Sequence, residues 1–230
     1  MSTSPDRPHT GLVVAIDGPS GSGKSSTSRG VAVRLGLRYL DTGAMFRAIT
    51  WWMLRAGVDV HDAATVAARA DEAKIESGTD PLAPTITVDG EDVALAIRAE
   101  DVNAAVSPVS AVPEVRARLL ELQRETIREA TADGGIVVEG RDIGSVVAPD
   151  AQVKVYLTAD PAARAARRAA EEGGSDVAAT EQSLLARDKI DSGRTTAPLV
   201  RADGAAHLDT TAYTLDEVID QVVALVDSAA

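Results

Sequence analysis

Read as hydrophobic and polar positions, the chain alternates short continuous apolar runs with longer stretches of helical spacing. Leu12 to Ile16 is the first apolar run, and its end at Asp17-Gly18 predicts a strand buried on both faces of a parallel sheet. From Lys24 to Leu35 small and apolar residues recur at helical intervals, with Gly36 as the stop signal. Further helices are predicted from about Ala44 to Ala56, ended by Gly57, and over much of Ala63 to Ala73. Alternation on either side of Asp89-Gly90 predicts a β-hairpin, which breaks the α/β rhythm and marks an insertion. Glu114 to Ala130 forms a long amphipathic pattern, followed by Gly134-Gly135 and the apolar strand Ile136-Val137-Val138. Val153 to Leu157 is another strand, and Asp160-Pro161 caps an Arg-rich helix that runs to about Glu172 before Gly173-Gly174. A helical region from Glu181 to Asp191, a short strand near His207-Leu208-Asp209 and a closing helix from about Leu215 complete the chain.

This order predicts an α/β fold, a doubly wound parallel sheet in one domain with peripheral insertions. Ligands in such sheets bind beyond the carboxyl ends of the strands. Aromatic residues make up only 3% of the 230, so the interior is expected to be aliphatic. The absence of cysteine excludes a disulfide framework, a thiolate metal site and a cysteine nucleophile, and fits the reducing cytoplasm. Met1 to Thr10 is polar with two prolines, unlike a signal peptide, and no apolar run has membrane-spanning length. A formal net charge of -12 repels nucleic acid and anionic membranes, leaving small anions at a local basic cluster as the expected ligands. His9, His61 and His207 lack metal-ligand spacing.

The strongest local chemistry is Gly18-Pro19-Ser20-Gly21-Ser22-Gly23-Lys24-Ser25, a Walker A pattern between a predicted strand and a predicted helix. Its glycines let backbone N–H groups curl around phosphates, Lys24 would reach the β and γ phosphates, and Ser25 would ligate Mg²⁺. With Ser26, these residues form the expected ATP-binding set. A P-loop alone does not separate kinases from switches or motors.

Three further segments resemble the signature of bacterial cytidylate kinases: Asp41-Thr42-Gly43-Ala44-Met45-Phe46-Arg47, Glu139-Gly140-Arg141-Asp142-Ile143-Gly144, and Asp191 with Arg194. The resemblance spans nearly the whole chain, with departures at Phe46, Ser145 and Ile190. It implies a P-loop fold with an enlarged nucleoside-monophosphate-binding insertion at about 41–103, a lid at about 159–194, and the core at about 11–40, 104–158 and 195–230. It implies transfer of the γ-phosphoryl group of ATP to CMP or dCMP. Arg47, Arg141 and Arg194 would hold the acceptor phosphate, with Lys24, Arg141 and Arg194 as the catalytic cations. Ser107, Arg116 and Asp142 would read cytosine, Arg187 and Asp191 would lie near the sugar, and Thr42 would join the CMP-binding set. Arg164, Arg167 and Arg168 would serve the lid. Glu139 is a candidate for organising water or metal.

The expected partners are therefore ATP, Mg²⁺ and CMP or dCMP, bound by a monomer, since closing subdomains need no partner chain. A P-loop kinase for UMP, AMP or shikimate is the enzymatic alternative, discriminated by the base-reading trio. A guanine-dependent switch would need an Asn-Lys-x-Asp motif, whereas the only Asn, Asn103, precedes Ala104. A nucleic-acid-dependent ATPase conflicts with the acidic balance.

Overall fold

A computed structural model describes residues 9–171, 174, 176–193 and 199–229, with only the backbone of Glu171, Arg187 and Asp191. The first apolar run forms β1 (Leu12–Asp17), and helical spacing forms α1 (Lys24–Leu35), ended by Gly36 in the left-handed region. Then come β2 (Arg38–Asp41), α2 (Thr42–Arg55) and α3 (Ala63–Ala68). The insertion contains β3 (Ile75–Ser77), β4 (Ile86–Val88) and β5 (Glu91–Asp92), with Asp89-Gly90 turning the last two. The two long helices α4 (Glu100–Ala111) and α5 (Pro113–Ala132) lead into β6 (Gly135–Gly140). β7 (Val153–Thr158), α6 (Pro161–Glu171), α7 (Val177–Gly193), β8 (Ala206–Asp209) and α8 (Leu215–Ala229) follow.

The larger sheet is wholly parallel in the order β2-β6-β1-β7-β8, and β3-β4-β5 form a separate antiparallel sheet. Alternate residues of β1 serve two cores: Val13 and Ala15 join a cluster with α2, α4 and α5, while Val14 and Ile16 join one with α1 and α8. Helices on both faces explain why β1 reads as a continuous apolar run. Truncating a fully buried residue such as Ile16 is expected to cost about 2–5 kcal/mol. Among the described residues no helix is long and apolar enough to cross a membrane.

Several elements depart from the reading of the sequence, the unpredicted β3 among them. The helix expected over much of Ala63 to Ala73 stops at Ala68, because Arg69 leaves helical geometry and the chain turns toward β3. The four residues of β2 are too few for a periodic signal, and α4 carries Pro108 in its interior, where a missing N–H ordinarily argues against a helix. All the large-sheet strands run the same way, so Asp17, Asp41, Gly140 and Thr158 end at one edge.

Candidate functional site

That edge holds a cleft of about 250 Å³, lined by the loop between β1 and α1, the start of α2, and the segment after β6. It adjoins a wider cavity of about 950 Å³ between α4 and α7, and Ser20, Arg98 and Arg168 line both. The loop after β1 needs its glycines sterically. A Cβ on Gly18 would sit 2.1 Å from the Leu157 carbonyl oxygen, and Gly21 and Gly23 adopt positive φ. α1 begins directly from Gly23, so the N–H groups of its first turn and its partial positive charge face the cleft. Lys24 is buried at its first position, with Nζ donating to the Pro19 carbonyl at 2.7 Å.

Behind this loop sits Glu139, buried at the end of β6. It accepts from Ser25 Oγ at 3.0 Å and from the Tyr39 hydroxyl of β2. Burial, followed by the neighbouring Asp41 charge, raises the Glu139 carboxyl to about 7 against opposition from Lys24 and its two hydroxyl donors. Burial and then Glu139 push the Tyr39 hydroxyl above its ordinary range, so it remains a donor. Thr42 Oγ1 donates to the Glu139 carbonyl at 2.7 Å, and a Cβ on Gly140 would lie 2.6 Å from that hydroxyl. These contacts join β2, α2 and β6 immediately beside the P-loop.

Asp17 performs a second joining role. It accepts from the backbone N–H groups of Ile143 and Gly144, both at 2.8 Å, across a π-helical turn spanning Ile143–Val147. Burial raises its carboxyl to about 6 despite those two donors. The segment carrying Arg141 and Asp142 is thereby tied to the strand that launches the P-loop, and Arg141 Nη1 donates to the Gly18 carbonyl at 3.0 Å.

The opposite wall is cationic. Arg47, Arg98, Arg141 and Arg168 line the cleft. Burial first, then Arg168 and the other two arginines, lower the Arg47 guanidinium to about 10, partly offset by Asp41. That residual repulsion marks a place where an anion gains energy. Deeper in, Arg116 pairs with Asp142, their side chains only 11% and 8% exposed. Arg116 also donates to the Ser110 carbonyl at 3.1 Å and stacks over Phe46 at 5.3 Å. A glycine-rich loop at a helix N-terminus thus faces a cationic wall, with a buried donor and acceptor pair beyond it.

The cytidylate kinase family model matches residues 14–228. The chain belongs to the cytidylate kinase family. A cytidylate kinase of Streptomyces griseus is 58% identical over 99% of this chain and 97% of its own length. One from Streptomyces coelicolor is 60% identical over 94% and 93%, and one from Mycobacterium leprae 48% identical over 94% and 96%. A gluconokinase structure from Sinorhizobium meliloti aligns over 97% of this chain and 95% of its own with a TM-score of 0.50 and 16% identity, a likeness of fold.

Against this family background, the cleft gathers Lys24, Ser25, Ser26, Thr42, Arg47, Arg116, Arg141 and Asp142. Ser107 is buried on α4 and lines the wider cavity, whereas Ser110, one helical turn later, lines the cleft itself. Of the three α6 arginines, Arg168 lines the cleft. Arg164 is buried and donates to the Ala159 and Ser20 carbonyls and to Asp188 at 2.5 Å. Arg167 donates to the hydroxyl and carbonyl of Thr210, whose own hydroxyl reaches the Ser22 carbonyl at 3.2 Å. Arg194 and the side chains of Arg187 and Asp191 lie outside the described residues. Sequence reasoning missed Asp17, Tyr39, Asp41, Arg98, Asn103 and Ser110. Asp17 carried a signal as the carboxylate closing an apolar run and Asp41 as the first residue of a signature segment, but the pairing of β2 with β6 gives Tyr39 its partner.

Proposed function

We propose that this chain transfers the γ-phosphoryl group of ATP to CMP or dCMP, giving ADP and CDP or dCDP. The observation that carries the reading is the buried Arg116–Asp142 pair, set in the same cleft as Lys24 and the P-loop. A carboxylate accepts from the exocyclic amine of cytosine, while a guanidinium donates to the ring carbonyl and N3 edge. Uracil would set its O4 carbonyl against Asp142, an acceptor against an acceptor.

The P-loop N–H groups and Lys24 bind the triphosphate, and Arg47 and Arg141 hold the acceptor phosphate with bidentate geometry. Arg194 would complete that cluster. An acceptor phosphate oxygen forms the new bond to the γ phosphorus as the bond to the bridging oxygen breaks, leaving the electron pair on ADP. Alignment and neutralisation of charge supply the catalysis, with no covalent enzyme intermediate. Ser25 and Glu139 offer one hydroxyl and one carboxylate, an all-oxygen set suited to Mg²⁺, which keeps waters and takes phosphate oxygens. When bound, Mg²⁺ would neutralise charge on the β and γ phosphates. Arg187 and Asp191 are assigned to the sugar, residues 41–103 to the monophosphate-binding subdomain, and 159–194 to the lid, with Arg168 as its cleft-facing arginine.

The test is ADP formation from Mg·ATP with CMP, dCMP, UMP, AMP and shikimate offered separately beside a no-acceptor control. Selective stimulation by CMP or dCMP is expected. Stimulation by AMP or shikimate instead would overturn the base-reading assignment.

A further inference from the structure

Arg47 is held in a way that its proposed task requires. Its Nη1 donates to two acceptors, the Ile97 carbonyl at 3.1 Å and Asn103 Oδ1 at 2.6 Å. Asn103 is itself fixed: its Nδ2 donates to the Arg98 carbonyl at 3.2 Å, and its backbone N–H donates to the Ala99 carbonyl within the first turn of α4. Both acceptors on Arg47 are neutral, and among the described residues Arg47 makes no ion pair. A carboxylate in either place would anchor the side chain equally well but would cancel the charge an incoming phosphate needs. Arg98, Arg141 and Arg168 repel this half-buried guanidinium, Asp41 offsets them in part, and the two acceptors tether it.

We infer that Asn103 is a positioning residue that orients Arg47 toward the acceptor phosphate without pairing its charge to a carboxylate. The inference rests on the reading of Arg47 as a phosphate ligand. One amide thus links α4, the turn at Arg98 and α2, so the phosphate grip depends on how the insertion packs against the core. The expected effect falls on affinity for the acceptor and not on ATP, because among the described residues no hydrogen bond of Asn103 reaches the P-loop.

The test compares Asn103→Asp, Asn103→Ala and Arg47→Met in steady-state kinetics, with cytidine, which lacks the phosphate, as a competitive inhibitor. Asn103→Asp keeps the shape and the acceptor oxygen but gives up the donor to the Arg98 carbonyl, and a thermal melt checks that the fold is kept. It should raise KM for CMP by about 10- to 100-fold, the loss of one charge-assisted contact, and Asn103→Ala should raise it by about 10-fold. KM for ATP and the inhibition constant of cytidine should stay within about twofold in both. Cytidine and CMP weakened in parallel would mean a merely structural role and overturn the inference. So would an unchanged KM for CMP in Asn103→Asp while Arg47→Met raises it. If Arg47→Met leaves CMP affinity unchanged, the phosphate-ligand reading of Arg47 fails first, and the inference with it.

Discussion

On the proposed donor side of the cleft the phosphate-binding groups would come from one run of eight residues, Gly18 to Ser25, as backbone N–H groups fixed largely by glycine sterics and a helix terminus. The acceptor side draws Arg47 from α2, Arg116 from α5, and Arg141 and Asp142 from the segment after β6. A backbone site is insensitive to most side-chain changes and depends on the sheet that launches the loop. A side-chain site needs supporting contacts, and the carboxylate of Asp17 with the amide of Asn103 supplies them, while the Glu139 carboxylate accepts from Ser25 behind the loop. Selectivity for the acceptor can therefore vary while the triphosphate cradle stays fixed.

The largest expected effect is on the donor side. Lys24→Ala should lower turnover by about a thousandfold, as loss of a donor to developing phosphate charge does, and ADP-formation kinetics measure it. On the acceptor side, Asp142→Ala leaves Arg116 buried without its partner, so about 3–5 kcal/mol of stability should be lost in urea unfolding. The same variant should lose much of its preference for CMP over UMP; an unchanged preference would count against the base-reading pair.

The supporting carboxylates sharpen the comparison through pH. Burial raises Asp17 from 3.8 to about 6 and Glu139 from 4.5 to about 7. Each carboxyl binds its proton more tightly in the folded state, so the stability it adds is complete below the unfolded value and lost as pH rises through the folded one. Stability should therefore decline between pH 6 and 7 chiefly through Glu139, and Glu139→Gln should flatten that part of a urea-midpoint profile. The smallest effect belongs far from both sides: Arg34 and Asp220 form an exposed pair, and Arg34→Ala should change stability by about 0–1 kcal/mol.

The donor side was legible almost entirely in the sequence, because strand, loop and helix are consecutive and α1 runs over the expected residues, Lys24 to Leu35. The insertion's hairpin was legible from the Asp89-Gly90 turn. The acceptor side was legible as motif residues but not as contacts. That Tyr39 meets Glu139, or Asn103 meets Arg47, depends on register between β2 and β6 and on packing of α4 against α2, at separations of 100 and 56 residues. The wall carrying Ser110 and Asn103 was hidden for a local reason, since Pro108 obscures α4.

The division between the two sides is tested most directly by titrating CMP calorimetrically into the wild type and Lys24→Ala. The account predicts that Lys24→Ala, though nearly without turnover, binds CMP with an affinity within about twofold of the wild type. A loss of CMP affinity that parallels the loss of turnover would show that the two sides are one site, and would contradict the account.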